Sequence, residues 1–178
     1  MKQTVLLEKE GIKRAIHQLA SEIVAKNSGV ENLALIGIRT RGVFIAQRLA
    51  SEIKILEKVQ PDLGFLDITL YRDDIGLSEK TPVVKKTEIP FNIFDRTIIL
   101  VDDVLFTGRT VRAALNALND YGRPKKIQLC VLIDRGNREL PIRPDFVAKK
   151  ITTSYEDKVI VHLVEIDKED LVILEEKE

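Results

Sequence analysis

The sequence predicts an α/β fold with a central, mostly parallel sheet flanked by helices. Three observations carry this: short runs that are apolar at every residue, amphipathic segments between them, and loops of small and charged residues where the runs end. A continuously apolar run suits a strand buried on both faces. Strands alternating with helices imply parallel pairing through right-handed crossovers. Ligands of such sheets bind beyond the carboxyl ends of the strands. A length of 178 residues suits one domain, 1–178, with a sizeable core.

Ile12, Ile16, Leu19 and Ile23 recur at helical spacing and place an amphipathic helix at about residues 9–26. Leu33 to Ile38 is the first apolar run. After the loop Arg39 to Gly42, a second helix is marked by Ile45, Leu49, Ile53 and Leu56. Phe65 to Tyr71 reads as a strand, and the polar, uneven stretch Arg72 to Pro90 as a long surface loop with room for a short hairpin. Thr97 to Asp102 is the next strand, followed by a helix marked by Val111, Ala114, Leu115 and Leu118 and stopped at Gly122 and Pro124. Ile127 to Ile133 returns to the sheet. Phe146 to Ala148, Val159 to Ile166 and Leu171 to Leu174 are further strands. The loops after Ile38, Asp102 and Ile133 are therefore the expected place for the chemistry.

Composition narrows the function classes. Hydrophobic residues make up 44% and charged residues 31%, with 28 basic against 28 acidic side chains. That balance is neither apolar enough for a membrane nor polar enough for disorder. No run approaches the roughly 20 apolar residues of a membrane helix, and Met1 to Lys9 has no signal-peptide core, so a cytoplasmic location is expected. One cysteine, Cys130, excludes an internal disulfide framework and a cysteine zinc cluster. His17 and His162 stand alone, with no Ser/His/Asp or Cys/His set and no direct metal site.

The strongest motif is Ile98-Ile99-Leu100-Val101-Asp102-Asp103-Val104-Leu105-Phe106-Thr107-Gly108-Arg109-Thr110. A strand ends in two carboxylates, a small-residue turn follows, and a helix begins. Backbone N–H groups at a helix N-terminus favour a phosphate, the Thr107 and Thr110 hydroxyls add donors, and Gly108 lets the backbone approach closely. Adjacent carboxylates can accept hydrogen bonds from the vicinal hydroxyls of a sugar. Together these are the parts of a ribose-5-phosphate cradle. Neither a Walker loop nor a Rossmann glycine pattern is present.

The motif resembles the binding signature for phosphoribosyl pyrophosphate (PRPP) in type I phosphoribosyltransferases. That resemblance implies a sheet with a flexible lid loop at 72–90 and a small hood over 134–178. It also implies that Asp102 and Asp103 hold the ribose hydroxyls, while Val104, Leu105, Phe106, Thr107, Gly108, Arg109 and Thr110 wrap the 5′-phosphate. Hypoxanthine-guanine enzymes of the superfamily carry an aspartate where this chain has Phe106, which cannot exchange a proton or accept a hydrogen bond from a purine. The segments Gly37–Gly42, Asp67–Asp74 and Asp134–Arg143 extend the likeness to the bacterial pyrimidine-operon attenuation regulators, which are also uracil phosphoribosyltransferases. It runs from about Val5 to the C-terminus.

In such a protein Arg39, Thr40, Arg41 and Gly42 bind pyrophosphate, with Arg41 making a charge-assisted contact. Loops of this kind contain a non-proline cis peptide. Arg72, Asp73 and Lys85 belong to the lid that excludes water. Ile133, Asp134, Arg135 and Arg138 cover uracil, with Arg138 as the contacting side chain. Asp102, Asp103 and Arg41 are the expected catalytic set. Mg²⁺ is held mainly through PRPP, and the chain works as a homodimer or larger homo-oligomer. The resemblance also implies UMP-stimulated binding to a leader RNA. The candidate RNA residues are Lys13, Arg14, His17, Lys26, Lys149 and Lys150. Relatives show a threonine, then a basic residue, then a histidine three positions on; here the residues are His17, Gln18 and Ser21. From Tyr121 to Lys150 eight basic residues face three acidic ones, while Asp167 to Glu178 has six acidic and two basic. A salvage enzyme without RNA regulation, and a non-catalytic PRPP or nucleotide sensor, stay open as alternatives.

Overall fold

A computed structural model describes residues 2–74 and 81–177. The chain runs β1 (Lys2–Glu8), α1 (Lys9–Lys26), β2 (Leu33–Ile38), α2 (Arg41–Glu57), β3 (Asp62–Leu66), β4 (Thr97–Leu105), α3 (Arg109–Leu118), β5 (Lys126–Asp134), β6 (Phe146–Lys150), β7 (Lys158–His162), α4 (Val164–Asp167) and β8 (Leu171–Glu176). Two single-turn 3₁₀ segments, Thr69–Tyr71 and Asn119–Tyr121, follow β3 and α3. Five strands form one sheet in the order β3-β2-β4-β5-β6, with every neighbouring pair parallel.

The apolar runs are buried on both faces because each face has its own helical layer. Ile12, Leu19 and Ile23 of α1 and Ile45, Leu49 and Ile53 of α2 pack with Leu35, Ile99, Val101 and Leu132. Val111, Ala114 and Leu118 of α3 pack on the opposite face with Ile36, Ile98, Leu100 and Val131. Alternate residues of one strand thus serve two cores, which is why the runs lack a polar side. Each fully buried Leu or Ile contributes about 1.5–3 kcal/mol. These layers hold the carboxyl ends of β2, β4 and β5 along one edge.

A second, antiparallel sheet is ordered β1-β8-β7 and forms the hood. It differs from the sequence expectation in two respects. The N-terminal strand β1, hidden by its scattered charges, pairs with β8 from Lys2↔Glu176 to Glu8↔Leu171. Phe146–Lys150, expected in the hood, joins the main sheet beside β5. The strand expected over Val159 to Ile166 stops at His162. There the Asp167 carboxylate accepts the Leu163 N–H at 2.9 Å and starts a helical turn. The strand expected over Phe65 to Tyr71 is β3, ending at Leu66. Asp67 ends it by accepting the Thr69 N–H at 2.9 Å and the Thr69 hydroxyl at 2.6 Å, an Asx turn. Among the described residues of the 72–90 loop there is no hairpin, only a bridge from Glu88 to Phe65; residues 75–80 lie outside the described residues.

Candidate active site

The loop after β2 and the end of β4 are in backbone contact. A Cβ on Gly42 would sit 2.4 Å from the Val101 carbonyl oxygen and 3.2 Å from the Asp102 Cα. A Cβ on Gly37 would sit 2.6 Å from the Gly42 carbonyl oxygen. Both positions therefore need glycine for close approach, and their pairing sets the Arg39–Gly42 loop against the carboxylate pair. The Arg39–Thr40 peptide is cis. Arg39 donates from Nε to the Lys86 carbonyl at 2.8 Å and lies 5.5 Å from the Phe65 ring centroid. Lys85 Nζ reaches Thr40 Oγ1 at 3.0 Å, so the described part of the expected lid lies on this loop. Arg41, expected to make a charge-assisted contact to pyrophosphate, donates from Nη2 to both oxygens of Asp167, at 3.0 and 3.1 Å.

β4 continues three residues beyond its expected end. Val104 and Leu105 pair with Ile133 and Asp134 of β5, so the carboxylates lie inside the strand. Asp102 is 8% exposed, and its Oδ1 accepts the Asp103 N–H at 2.9 Å; Asp103 Oδ1 accepts the Val104 N–H at 2.9 Å. Burial and the neighbouring Asp103 charge push the Asp102 carboxyl well above the usual carboxylate range. The turn follows at Phe106–Gly108. Gly108 has φ +95°, a Cβ added there would lie 3.4 Å from Leu140 and Ile142, and α3 begins at Arg109. Thr107 Oγ1 accepts the Arg109 N–H at 3.3 Å, while the Thr107 carbonyl accepts N–H groups from Glu139 and Leu140 at 2.9 and 3.2 Å. The turn expected to take the phosphate and the loop after β5 are thus one hydrogen-bonded unit.

On the β5 side, Ile133, Asp134 and Arg135 are buried. Arg135 neither faces solvent nor pairs with Asp134. Its guanidinium stacks 3.9 Å from the Phe106 ring centroid and donates to Thr153 Oγ1 at 3.1 Å and the Ser154 carbonyl at 2.8 Å. Arg138, expected to contact the base, is committed internally. It donates to Ile142 O at 2.8 Å, Phe106 O at 2.8 Å, Gly136 O at 3.2 Å and Asp134 Oδ1 at 2.6 Å. A guanidinium carries five N–H donors in a fixed fork, and this one ties the loop after β5 to the phosphate turn.

Sequence reasoning missed Tyr155 and Glu139. Tyr155 Oη donates to Glu139 at 2.6 Å, and its ring lies 5.0 Å from Phe106. Arg109 donates to Glu139 at 2.6 Å and to Asp73 at 2.5 Å, and Arg112 joins Asp73 at 2.9 Å. Hydrogen bonds from Tyr155 and Arg109 hold the Glu139 carboxyl below its usual range. This chain runs from the hood to the lid across the phosphate turn. No local pattern announces it, because the paired participants are 16 to 39 residues apart.

The candidate RNA residues lie mostly on α1 and β6, not in these loops. Lys13, Arg14 and Lys150 are exposed. His17 Nδ1 meets Glu52 Oε1 at 2.6 Å, and Lys26 pairs with Asp145 at 3.3 Å. Lys149 is half-buried: its Nζ donates to the Leu6 carbonyl at 3.0 Å and pins β1 to β6.

The phosphoribosyl transferase domain model matches residues 2–169. The bifunctional protein PyrR of Alkaliphilus metalliredigens is 56% identical, over 98% of this chain and 96% of its own. The PyrR of Clostridioides difficile is 54% identical over 96% and 97%, and that of Roseiflexus sp. 53% over 94% and 91%. Among solved structures, the hypoxanthine phosphoribosyltransferase of Trypanosoma cruzi aligns with a TM-score of 0.72 at 20% identity, covering 98% of this chain and 97% of that one. A Staphylococcus aureus hypoxanthine phosphoribosyltransferase aligns at 0.71 and 20% over 98% and 92%, a likeness of fold. The helix-covered parallel sheet, the glycine-mediated contact of its two ligand loops and these full-length likenesses agree: the chain belongs to the phosphoribosyl transferase family, among the bifunctional PyrR proteins.

Proposed function

We infer that the chain is a uracil phosphoribosyltransferase, converting uracil and PRPP to UMP and pyrophosphate. It also regulates pyrimidine-operon transcription by UMP-dependent binding to leader RNA and attenuation. The observation that carries the enzymatic reading is the contact of Gly42 with Val101 and Asp102. It sets a loop bearing Arg39, Thr40 and Arg41 beside two carboxylates and a phosphate turn. PRPP carries its pyrophosphate and 5′-phosphate on one ribose, and this edge offers donors for both ends with acceptors for the diol between them.

Asp102 and Asp103 accept the ribose hydroxyls, the Thr107–Thr110 turn and the α3 N-terminus bind the 5′-phosphate, and Arg39–Gly42 bind pyrophosphate. Displacement at the ribose C1 passes through an oxocarbenium-like state, so positioning and charge stabilisation supply the catalysis and no side-chain nucleophile is needed. Phe106 gives the base site an apolar wall, which suits uracil read by backbone groups after β5. Lys85 on Thr40 brings the lid's charge to the pyrophosphate loop, and closure keeps water from C1.

The carboxylate pair fits Mg²⁺. Asp102 is buried against Asp103 without a cationic side chain among the described residues, and a cation or a diol relieves that crowding. Two carboxylates are fewer than the roughly six oxygens Mg²⁺ takes, so most ligands come from PRPP and water. An ion held by Asp102 and Asp103 would supply charge neutralisation for the pyrophosphate leaving group.

Asp103→Asn is expected to cut turnover of uracil and PRPP; unchanged turnover rejects the assignment. For the regulatory half, the relatives named bifunctional PyrR are the support. UMP-dependent gel retardation with the cognate pyrimidine-operon leader should show a shift that weakens with salt. No shift at low salt rejects regulation through that RNA. Among the described residues no helix is long and apolar enough to cross a membrane. We place the protein in the cytoplasm as a homodimer or larger homo-oligomer.

A further inference from the structure

Two arginines on one face of α2 dock the α4 segment of the hood. Arg41 and Arg48 are seven residues, or two helical turns, apart. Arg48 makes four hydrogen bonds to Glu165 and Asp170, at 2.6 to 3.0 Å. Arg41 takes Asp167 through Nη2 alone. The Asp167 carboxylate is itself fixed: it accepts the Leu163 N–H at 2.9 Å, and its own N–H donates to the Leu163 carbonyl at 2.7 Å. Among the described residues the buried Arg41 Nε has no partner, and no hydrogen bond involves Nη1. Asp167 therefore holds one nitrogen of the fork and leaves the other donors of a half-exposed guanidinium unused, at a helix start that touches Asp102.

We propose that Asp167 is a positioning residue for pyrophosphate recognition. It orients Arg41 from the hood so that the remaining donors of the guanidinium meet the pyrophosphate group of PRPP. The proposal rests on the assignment of Arg41 to pyrophosphate made above. A carboxylate anchor suits this task because it fixes a long, flexible side chain in one rotamer and leaves the net charge of the loop low until the anion arrives. Arg48, by contrast, has both edges of its fork occupied and serves docking alone.

The test is steady-state kinetics with uracil and PRPP on five proteins: wild type, Asp167→Asn, Asp167→Glu, Arg41→Lys and the Asp167→Asn/Arg41→Lys double variant. Asparagine keeps an oxygen to accept the Leu163 N–H, so α4 keeps its cap. Asp167→Asn is expected to raise the KM for PRPP about tenfold, leave the KM for uracil unchanged and alter kcat less than twofold. Asp167→Glu should recover part of the loss. The double variant should be no worse than Arg41→Lys, because both act on one contact. A purely structural role would lower kcat and thermal stability together and raise both KM values. An unchanged PRPP KM in Asp167→Asn, beside a raised one in Arg41→Lys, overturns the proposal and spares the pyrophosphate assignment. An unchanged PRPP KM in Arg41→Lys overturns both, and so do additive losses in the double variant for the positioning role.

Discussion

Gly42→Ala tests whether the Arg39–Gly42 loop, proposed to bind pyrophosphate, and the carboxylate pair are held together by backbone contact. The new methyl would lie 2.4 Å from the Val101 carbonyl oxygen, whereas real Cβ contacts stay above 3.0 Å. Relief therefore requires about 0.6–1.0 Å of separation between the start of α2 and β4, with contacts near 3.4 Å taken as relaxed. Both partners are backbone, so no side chain can rotate away. Overpacking of this kind costs about 1–3 kcal/mol, against which alanine returns at most about 1 kcal/mol of helix propensity. A displacement approaching 1 Å in a positioning element costs on the order of 10²-fold in rate. Urea unfolding and uracil/PRPP turnover, measured side by side, should show a stability loss of about 0.5–2 kcal/mol and a kcat/KM loss of about two orders of magnitude. Gly11→Ala is the control. Its Cβ meets only the Leu7 side chain, nearest at the flexible Cδ2 end at 3.3 Å, and it should leave turnover intact while adding up to about 1 kcal/mol. Wild-type turnover in Gly42→Ala would refute the close-approach argument.

Other consequences follow from the charges. Because the folded state raises the Asp102 carboxyl, its protonated form is the favoured one: this contribution to stability is fully present below the unfolded value of about 3.9 and is lost as pH rises through the folded value. Ligand-free Asp102→Asn should therefore be more stable than wild type at pH 7, with a flatter stability–pH curve above pH 4; a coincident curve refutes the burial argument. Arg48→Met leaves Glu165 and Asp170 facing each other without their cation. Complete burial would make that cost about 3–5 kcal/mol, and partial exposure reduces it to about 1–3 kcal/mol in urea unfolding at pH 7. A change below about 0.5 kcal/mol would remove Arg48 as the anchor of α4.

The main sheet was legible because its strands are buried on both faces. A run such as Leu33–Ile38 has no polar position to confuse the reading, and the helices between such runs bury one stripe each. The hood was less legible for the converse reason. β1 is largely exposed, with charges at Lys2 and Glu8, and its partner β8 lies over 160 residues away. Strand ends failed where side chains decide them, as Asp67 does after β3 and Asp167 after β7. The site motif was readable as a local pattern from Ile98 to Thr110, since strand, turn and helix start are contiguous. The roles of single arginines were not. Arg135, Arg138 and Lys149 look alike in sequence as cations of a basic segment, yet all three are turned inward by partners distant in sequence.

That difference changes what the neutral total charge means. The chain answers its site arginines with its own carboxylates: Arg41 with Asp167, Arg109 with Asp73 and Glu139, Arg138 with Asp134. On the proposed assignment, an arriving phosphate or pyrophosphate meets guanidinium groups already oriented by hydrogen bonds, and recognition depends on which donors remain rather than on a diffuse positive field. Such a site discriminates by geometry, because a polyanion without the right spacing finds most of the fork occupied. The same accounting applies to the outer face. Once the inward cations of the Tyr121–Lys150 segment are set aside, the exposed ones are Arg123, Lys125, Lys126, Arg143 and Lys150, and only Lys150 belongs to the candidate RNA set. Selective RNA binding must then draw on α1 as well, where Lys13 and Arg14 stand free of carboxylates among the described residues and His17 does not.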